Sequence, residues 1–234
     1  MPTLDLWGAI TLSATAVATI AVLAVWYGRE QGGLRRVLIH SAWLVAVVVI
    51  TGTGLLDVLG TPGLGIMVAV PLILAIVAAI RSPRFAAAIQ SIPTTALIAI
   101  SALRVEGVYF VLLFADHRLP APFAPAAGWG DMITGALALP VAWAWYRRIP
   151  GATALLLLWN LFGFADLVDA IGLGVTSAEG SPVRIFFGDP SSAAMTTLPW
   201  ILIPGFIVPN LLLTHLAIFR RVLGGSRSTH AVAN

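Results

Sequence analysis

Long apolar runs separated by short arginine-bearing breaks organise this chain. Residues 6–27 carry no charge and, at about 1.5 Å per helical residue, are long enough to cross a hydrocarbon core of about 30 Å. A cleaved signal peptide is the competing reading. Asp5 ahead of the run, the lack of a basic side chain there and the length of the run favour a retained first helix. Residues 37–56 predict a second helix that ends before the turn residues Gly60 to Gly63, and 64–80 a third that stops at Arg81, Pro83 and Arg84. Residues 85–114 are too long for one perpendicular pass. Pro93 divides them into an interfacial turn or short helix over 85–92 and a fourth helix over 93–115, which sets Arg104 and Glu106 near the bilayer midplane. The proline-rich stretch 117–130 predicts a loop, with Phe123 and Trp129 suited to a membrane interface. Asp131 then opens a fifth helix to 146, where a first-turn carboxylate doubles as a favourable cap. A sixth helix covers 152–172. After a polar loop over 177–192, a seventh spans 197–219 and carries Pro199, Pro204, Gly205 and Pro209.

These elements define an all-α integral membrane protein, a single bundle of seven transmembrane helices over residues 1–222 with a disordered cytoplasmic tail over 223–234. Composition agrees: 59% of residues are hydrophobic and 10% charged, against about 25% charged in soluble domains. Arginines fix the expected orientation. Ten fall in the breaks after helices one, three, five and seven, and only Arg118 and Arg184 in those on the other side. The amino terminus is therefore expected outside and the carboxyl terminus in the cytoplasm, in a multi-pass plasma (inner) membrane protein. The net charge of +3 is accounted for by these topological arginines, so no nucleic-acid partner is expected.

The basic side chains are all Arg, which excludes Schiff-base chemistry through lysine, and the absence of Cys excludes disulfides and thiolate metal sites. The chemistry left to the chain sits in residues 159–170, WNLFGFADLVDA, where Asn160, Asp166 and Asp169 interrupt an apolar run. An Asp at the centre of a membrane helix costs about 2.5 to 3.5 kcal/mol, so such side chains face a partner or a cavity. Asp166 and Asp169 share a helix face. Asp131, Glu106 and Arg104 reach similar depths from two other helices, predicting an outward-leaning polar pocket with Arg104 as counter-ion. Arg104 and Glu106 lie about 200° apart on an ideal helix, so one of them faces a different neighbour. Asp166 and Glu106 are the expected acid and base. Asp169, Asp131, Arg104, Asn160, Tyr109, Trp129 and Asn210 are the expected substrate contacts. His215 and His40 fall on the opposite side from the carboxylates, so neither a metal nor another cofactor is expected.

In size, span number and isolated intramembrane carboxylates the chain resembles the seven-span membrane terpene cyclases. The function expected from the residues is a membrane-embedded enzyme acting on a lipid or isoprenoid substrate by carboxylate acid/base chemistry, with membrane lipids as surroundings. The alternative is a small-solute or proton-coupled transporter, or a ligand sensor, in which the same carboxylates bind a proton or cation and the kinked seventh helix moves.

Overall fold

The structure, a computed structural model, describes residues 2–27 and 32–230; Arg29 and residues 231–234 fall outside that range. Among the described residues the chain is helical and has no strand. It runs through α1 (Pro2–Tyr27), α2 (Gly33–Gly52), α3 (Leu55–Arg81), α4 (Pro83–Ser91), α5 (Thr94–Ile100), a 3-10 segment (Ser101–Gly107), α6 (Val108–Ala115), α7 (Phe123–Tyr146) and α8 (Ala152–Thr176). A second 3-10 turn (Ser192–Thr196) and a π-turn (Ile203–Ile207) lead into α9 (Val208–His230).

Six stretches of the described chain are long and apolar enough to cross a membrane: Thr3–Val25, Gly33–Gly52, Pro62–Arg81, Thr94–Ala115, Ala152–Thr176 and Ile203–Gly224. This is a multi-pass membrane protein. The most and the least apolar of the spans differ sharply in burial. Pro62–Arg81 has a mean hydropathy of 2.7 and only 6% of it is buried within the protein, whereas Ile203–Gly224, at 1.4, is 61% buried. Large apolar side chains such as Ile80, Leu158 and Leu34 are correspondingly exposed around the perimeter. A perimeter of this kind fits hydrocarbon as its solvent. α7 is not among the six, although its 24 residues measure about 36 Å. Its buried face is built from small residues, including Ala124, Gly128, Gly135 and Ala138, which lowers its hydropathy and lets neighbours approach closely.

Several boundaries differ from those read in the sequence. The 117–130 stretch is not all loop: α7 begins at Phe123, so Asp131 is its ninth residue and no first-turn cap. Pro125 permits this because the first-turn N–H groups of a helix have no intrahelical partner to lose. Conversely, the last span starts at Ile203 rather than 197, after the turns of the proline-bearing stretch, and its first five residues are the π-turn. α9 then continues to His230, so the stretch expected as a disordered tail is helical over most of its length. In α3 the turn expected at Gly60 is a kink inside one longer helical element, at φ 56° and ψ −147°, a backbone conformation that excludes a side chain with Cβ. The division at Pro93 holds, with α4 ending at Ser91 and the next span starting at Thr94.

Side-chain clasps hold the two ends of the bundle. At one, Asp5 of α1 accepts from Trp200 Nε1 at 2.9 Å and pairs with Arg118 Nη2 at 3.0 Å. At the other, Arg221 of α9 binds the carboxyl end of α4: Nη1 donates to Ile92 O at 2.7 Å and Thr94 Oγ1 at 2.9 Å, and Nη2 to Ile89 O and Gln90 O at 3.2 and 3.1 Å. A guanidinium here satisfies carbonyls that a helix end leaves unpaired and opposes the negative end of the helix dipole. Arg221→Ala is therefore expected to release α4 and destabilise the protein by about 1 to 2 kcal/mol, read as a lower midpoint of thermal unfolding in detergent, with Arg221→Lys recovering only part of the loss.

Candidate functional site

Arg104 stands at the eleventh position of the 22-residue span Thr94–Ala115, and its side chain is fully enclosed. With no exposed surface, its charge and its donors must be satisfied by its neighbours in the protein. Nε donates to Asp131 Oδ1 at 2.6 Å, and Nη2 donates to Asp166 Oδ2. Nη1 donates to the Gly163 carbonyl at 2.9 Å and to His215 Nε2 at 3.0 Å. α7, α8 and α9 thus each supply a partner to the 3-10 segment that carries the arginine.

The hydrogen bonds fix the state of His215. A guanidinium only donates, so Nε2 is the accepting nitrogen and the proton lies on Nδ1, 2.8 Å from Asn160 Oδ1. Asn160 Nδ2 returns a bond to the His215 carbonyl at 3.1 Å, which orients the amide. Trp159 lies against the imidazole at a centroid distance of 5.5 Å and donates from Nε1 to Thr134 O at 3.0 Å. The ring is held neutral and in one tautomer, as an additional acceptor for Arg104.

Glycines make this convergence possible. A Cβ on Gly107 would lie 2.4 Å from Asp131 Cβ and 2.9 Å from the Gly128 carbonyl, and one on Gly135 would lie 2.6 Å from Val105 N. The 3-10 backbone therefore rests directly on that of α7. Gly163 leaves room for Arg104 Nη1 and His215 Cε1, at 2.9 and 2.8 Å from a hypothetical Cβ; on Gly130 that atom would overlap the Asp166 carboxylate at 1.6 Å.

The expected site residues divide into three groups. Arg104, Asp131, Asp166 and Asn160 come together as expected, and Arg104 serves two carboxylates. Glu106 turns the other way, as its angular separation from Arg104 requires, and accepts from the hydroxyls of Thr15 and Thr11 on α1. It reaches the cluster only across a cavity of about 20 Å³ lined also by Arg104, Asp131 and Leu211, room for about one water. Tyr109, whose hydroxyl is 2.9 Å from Thr11 Oγ1, packs on Trp200. Asp169 and Trp129 are exposed and contribute no bond to Arg104. Asn210 lines a second cavity away from the arginine. The residue missed is His215. Counting a helix from 197 places it in the inner half, but the span from Ile203 makes it the thirteenth of 22 residues, level with Arg104. The expectation that it lies apart from the carboxylates is overturned. Among the described residues no group of three or more His, Asp or Glu side chains is arranged to hold a metal ion.

A family profile described as a domain of unknown function, DUF8737, matches residues 61–223. The chain belongs to the DUF8737 family. The DUF8737 region contains the whole Arg104 cluster, from Arg104 through His215, while the α1 partners of Glu106 precede it. No curated protein and no solved structure matches the chain.

Removing the guanidinium leaves two carboxylates without a counter-charge in a buried setting. Arg104→Gln is expected to cost about 3 to 5 kcal/mol of stability. Adding Asp131→Asn and Asp166→Asn to it should restore much of that loss in thermal unfolding, because the triple variant buries no charge there. Gly130→Ala should displace Asp166 from Arg104 while keeping every charge, and lower the unfolding midpoint less than Arg104→Gln does.

Proposed function

We propose that the protein is a proton-coupled transporter of a small solute, with the Arg104, Asp131 and Asp166 cluster as its proton site. The observation that carries this reading is the imbalance of charge in a closed space. One guanidinium meets two carboxylates, with Glu106 close by, and the adjoining cavity has room for about one water. A surplus carboxyl group in such a setting is stable only with a proton or a cation, and a water-sized cavity admits a proton carrier but no organic substrate. Acid/base catalysis on a lipid needs the reacting atom within about 3 Å of Asp166. Asp166 is held by Arg104 and does not line that cavity, which opens instead beside Asp131 and Glu106, and this supports proton binding over that chemistry.

In this reading α7 crosses the membrane with the six more apolar spans, giving seven passes. The arginine distribution supports an amino terminus outside and a carboxyl terminus in the cytoplasm, and the plasma membrane is the location this reading takes. Protonation of the carboxylate pair loosens the hold of Arg104 on α7 and α8, and so alters its bond to His215 on α9. α9 is preceded by the π-turn Ile203–Ile207, a widened turn that converts to regular helix by a one-residue shift. Ile207 and Leu211 stand between the water-sized cavity and the larger one beside Asn210, so a shift of this turn connects or separates them.

The chain has no Cys of its own, so single cysteines report without a background. In oriented vesicles, Leu211→Cys should be labelled by a membrane-impermeant maleimide from both faces, and Asp166→Asn added to it should restrict labelling to one. Labelling of Leu211→Cys from only one face, or a pattern unmoved by Asp166→Asn, would overturn the proposal. Infrared spectra of the purified protein should contain a protonated carboxylic-acid band that disappears in Asp166→Asn or Asp131→Asn.

A further inference from the structure

The larger cavity, about 80 Å³, lies among α1, α4, α5 and α9, with Leu97, Ile89 and Ala217 in its apolar wall. Its polar lining has a consistent hydrogen-bonding character. Thr19 Oγ1 donates its proton to Thr15 O at 2.9 Å, and Thr214 Oγ1 donates its own to Asn210 O at 2.9 Å. Thr15, a further lining residue, is hydrogen-bonded to Glu106. Asn210 is 9% exposed, and its Nδ2 donates to Phe206 O at 2.8 Å. The reverse assignment would set two acceptors face to face, so Oδ1 is the atom turned away from the helix. Among the described residues Oδ1 has no partner. His40, across the cavity on α2, donates from Nδ1 to Arg36 O at 2.9 Å.

The Thr19 and Thr214 hydroxyl protons are committed to backbone carbonyls, and the asparagine offers its carbonyl. The cavity therefore presents acceptors in an apolar chamber, and its complement is an apolar body with one hydrogen-bond donor. An ammonium would supply the donor but bring a charge against hydrocarbon walls, whereas a hydroxyl supplies it without one. We infer that this cavity is a binding site for the hydroxyl end of an alkyl alcohol, received by Asn210 Oδ1 with Thr19 and Thr214 as further acceptors. The volume, about four times that of the one-water cavity, takes a short alcohol whole or the hydroxyl end of a long one whose chain leaves through the open side. As the site of the transported solute it rests on the reading above; as a binding site it does not.

The test is photolabelling of the full-length protein in lipid nanodiscs with 3-azi-1-octanol and with the methyl ether of the same compound, the modified residues being located by mass spectrometry. The alcohol should label the walls around Thr15 to Leu23 and Asn210 to Ala217, and the ether, lacking the donor, about tenfold less, the loss expected for one buried hydrogen bond. Asn210→Leu should remove the difference between the two probes. Thr214→Val should reduce it, and serves where Asn210→Leu does not fold. Competition by 1-butanol but not 1-dodecanol would identify a small soluble alcohol as the natural class, and the opposite result a lipid-like one. Equal labelling by alcohol and ether, or labelling spread over the lipid-facing helices and unchanged in both variants, overturns the inference. Selective labelling together with one-faced access at Leu211→Cys leaves the site standing and removes the transport reading. Two-faced access without selective labelling does the reverse.

Discussion

Burying a guanidinium at the middle of a membrane helix is the constraint on which the rest of this bundle depends. Arg104 cannot lose its charge, and the hydrocarbon around the protein offers it nothing. The chain answers with three further helices: a carboxylate from α7, a carboxylate and a backbone carbonyl from α8, and an imidazole nitrogen from α9. Each partner must come within hydrogen-bonding distance of one side chain, which draws the helix axes together. The glycines at 107, 128, 130, 135 and 163 follow from that demand, since a Cβ at any of them would lie under 3.0 Å from a neighbouring atom. In water such close packing could be driven by burying apolar surface. In lipid it depends on close van der Waals contact and on polar groups with nowhere else to go.

The same constraint explains the contrast between the most and the least apolar span. Ile203–Gly224, the least apolar and most buried, carries His215 and Asn210 into the interior; Pro62–Arg81, which has no such duty, is almost wholly apolar and lies at the perimeter. α7 goes further still. It surrenders hydropathy to small residues and to Asp131, and is covered by neighbours on the face where these occur.

Much of this was legible in the chain because a charge inside an apolar run has few explanations. Arg104, Asp131, Asp166 and Asn160 announce themselves in this way, and the angular separation of Arg104 from Glu106 sends the two to different neighbours. His215 was not legible for the reason that displaced Asp131: both errors come from counting turns through prolines. Pro125 sits inside a first helical turn and does not end the helix, so α7 starts earlier and Asp131 lies deeper. Pro199 and Pro204 delay regular helix, so the last span starts later and His215 moves to the middle. Arg221 added to the misreading. It looks like a mark of the membrane boundary, but it is spent on the end of α4. The hydrogen-bond complement of the larger cavity lay beyond sequence, because a threonine is donor or acceptor according to which carbonyl stands behind it.

Glu106 joins the two polar regions of the molecule. It faces Arg104 and Asp131 across a space sized for one water, and through Thr15 it touches the wall of the chamber that holds Asn210. The two cavities share Leu103, Ile207 and Leu211, so the barrier between them is apolar side chains, one on the 3-10 segment next to Arg104 and two on or just after the π-turn. Both of these irregular turns have hydrogen-bond registers other than that of the α-helix, and both lie next to the groups whose charge is out of balance. Arg104 and His215, which lie against those groups, are the side chains that tie the 3-10 segment to α9. The larger chamber and the Arg104 cluster are thus linked through one carboxylate and three aliphatic side chains.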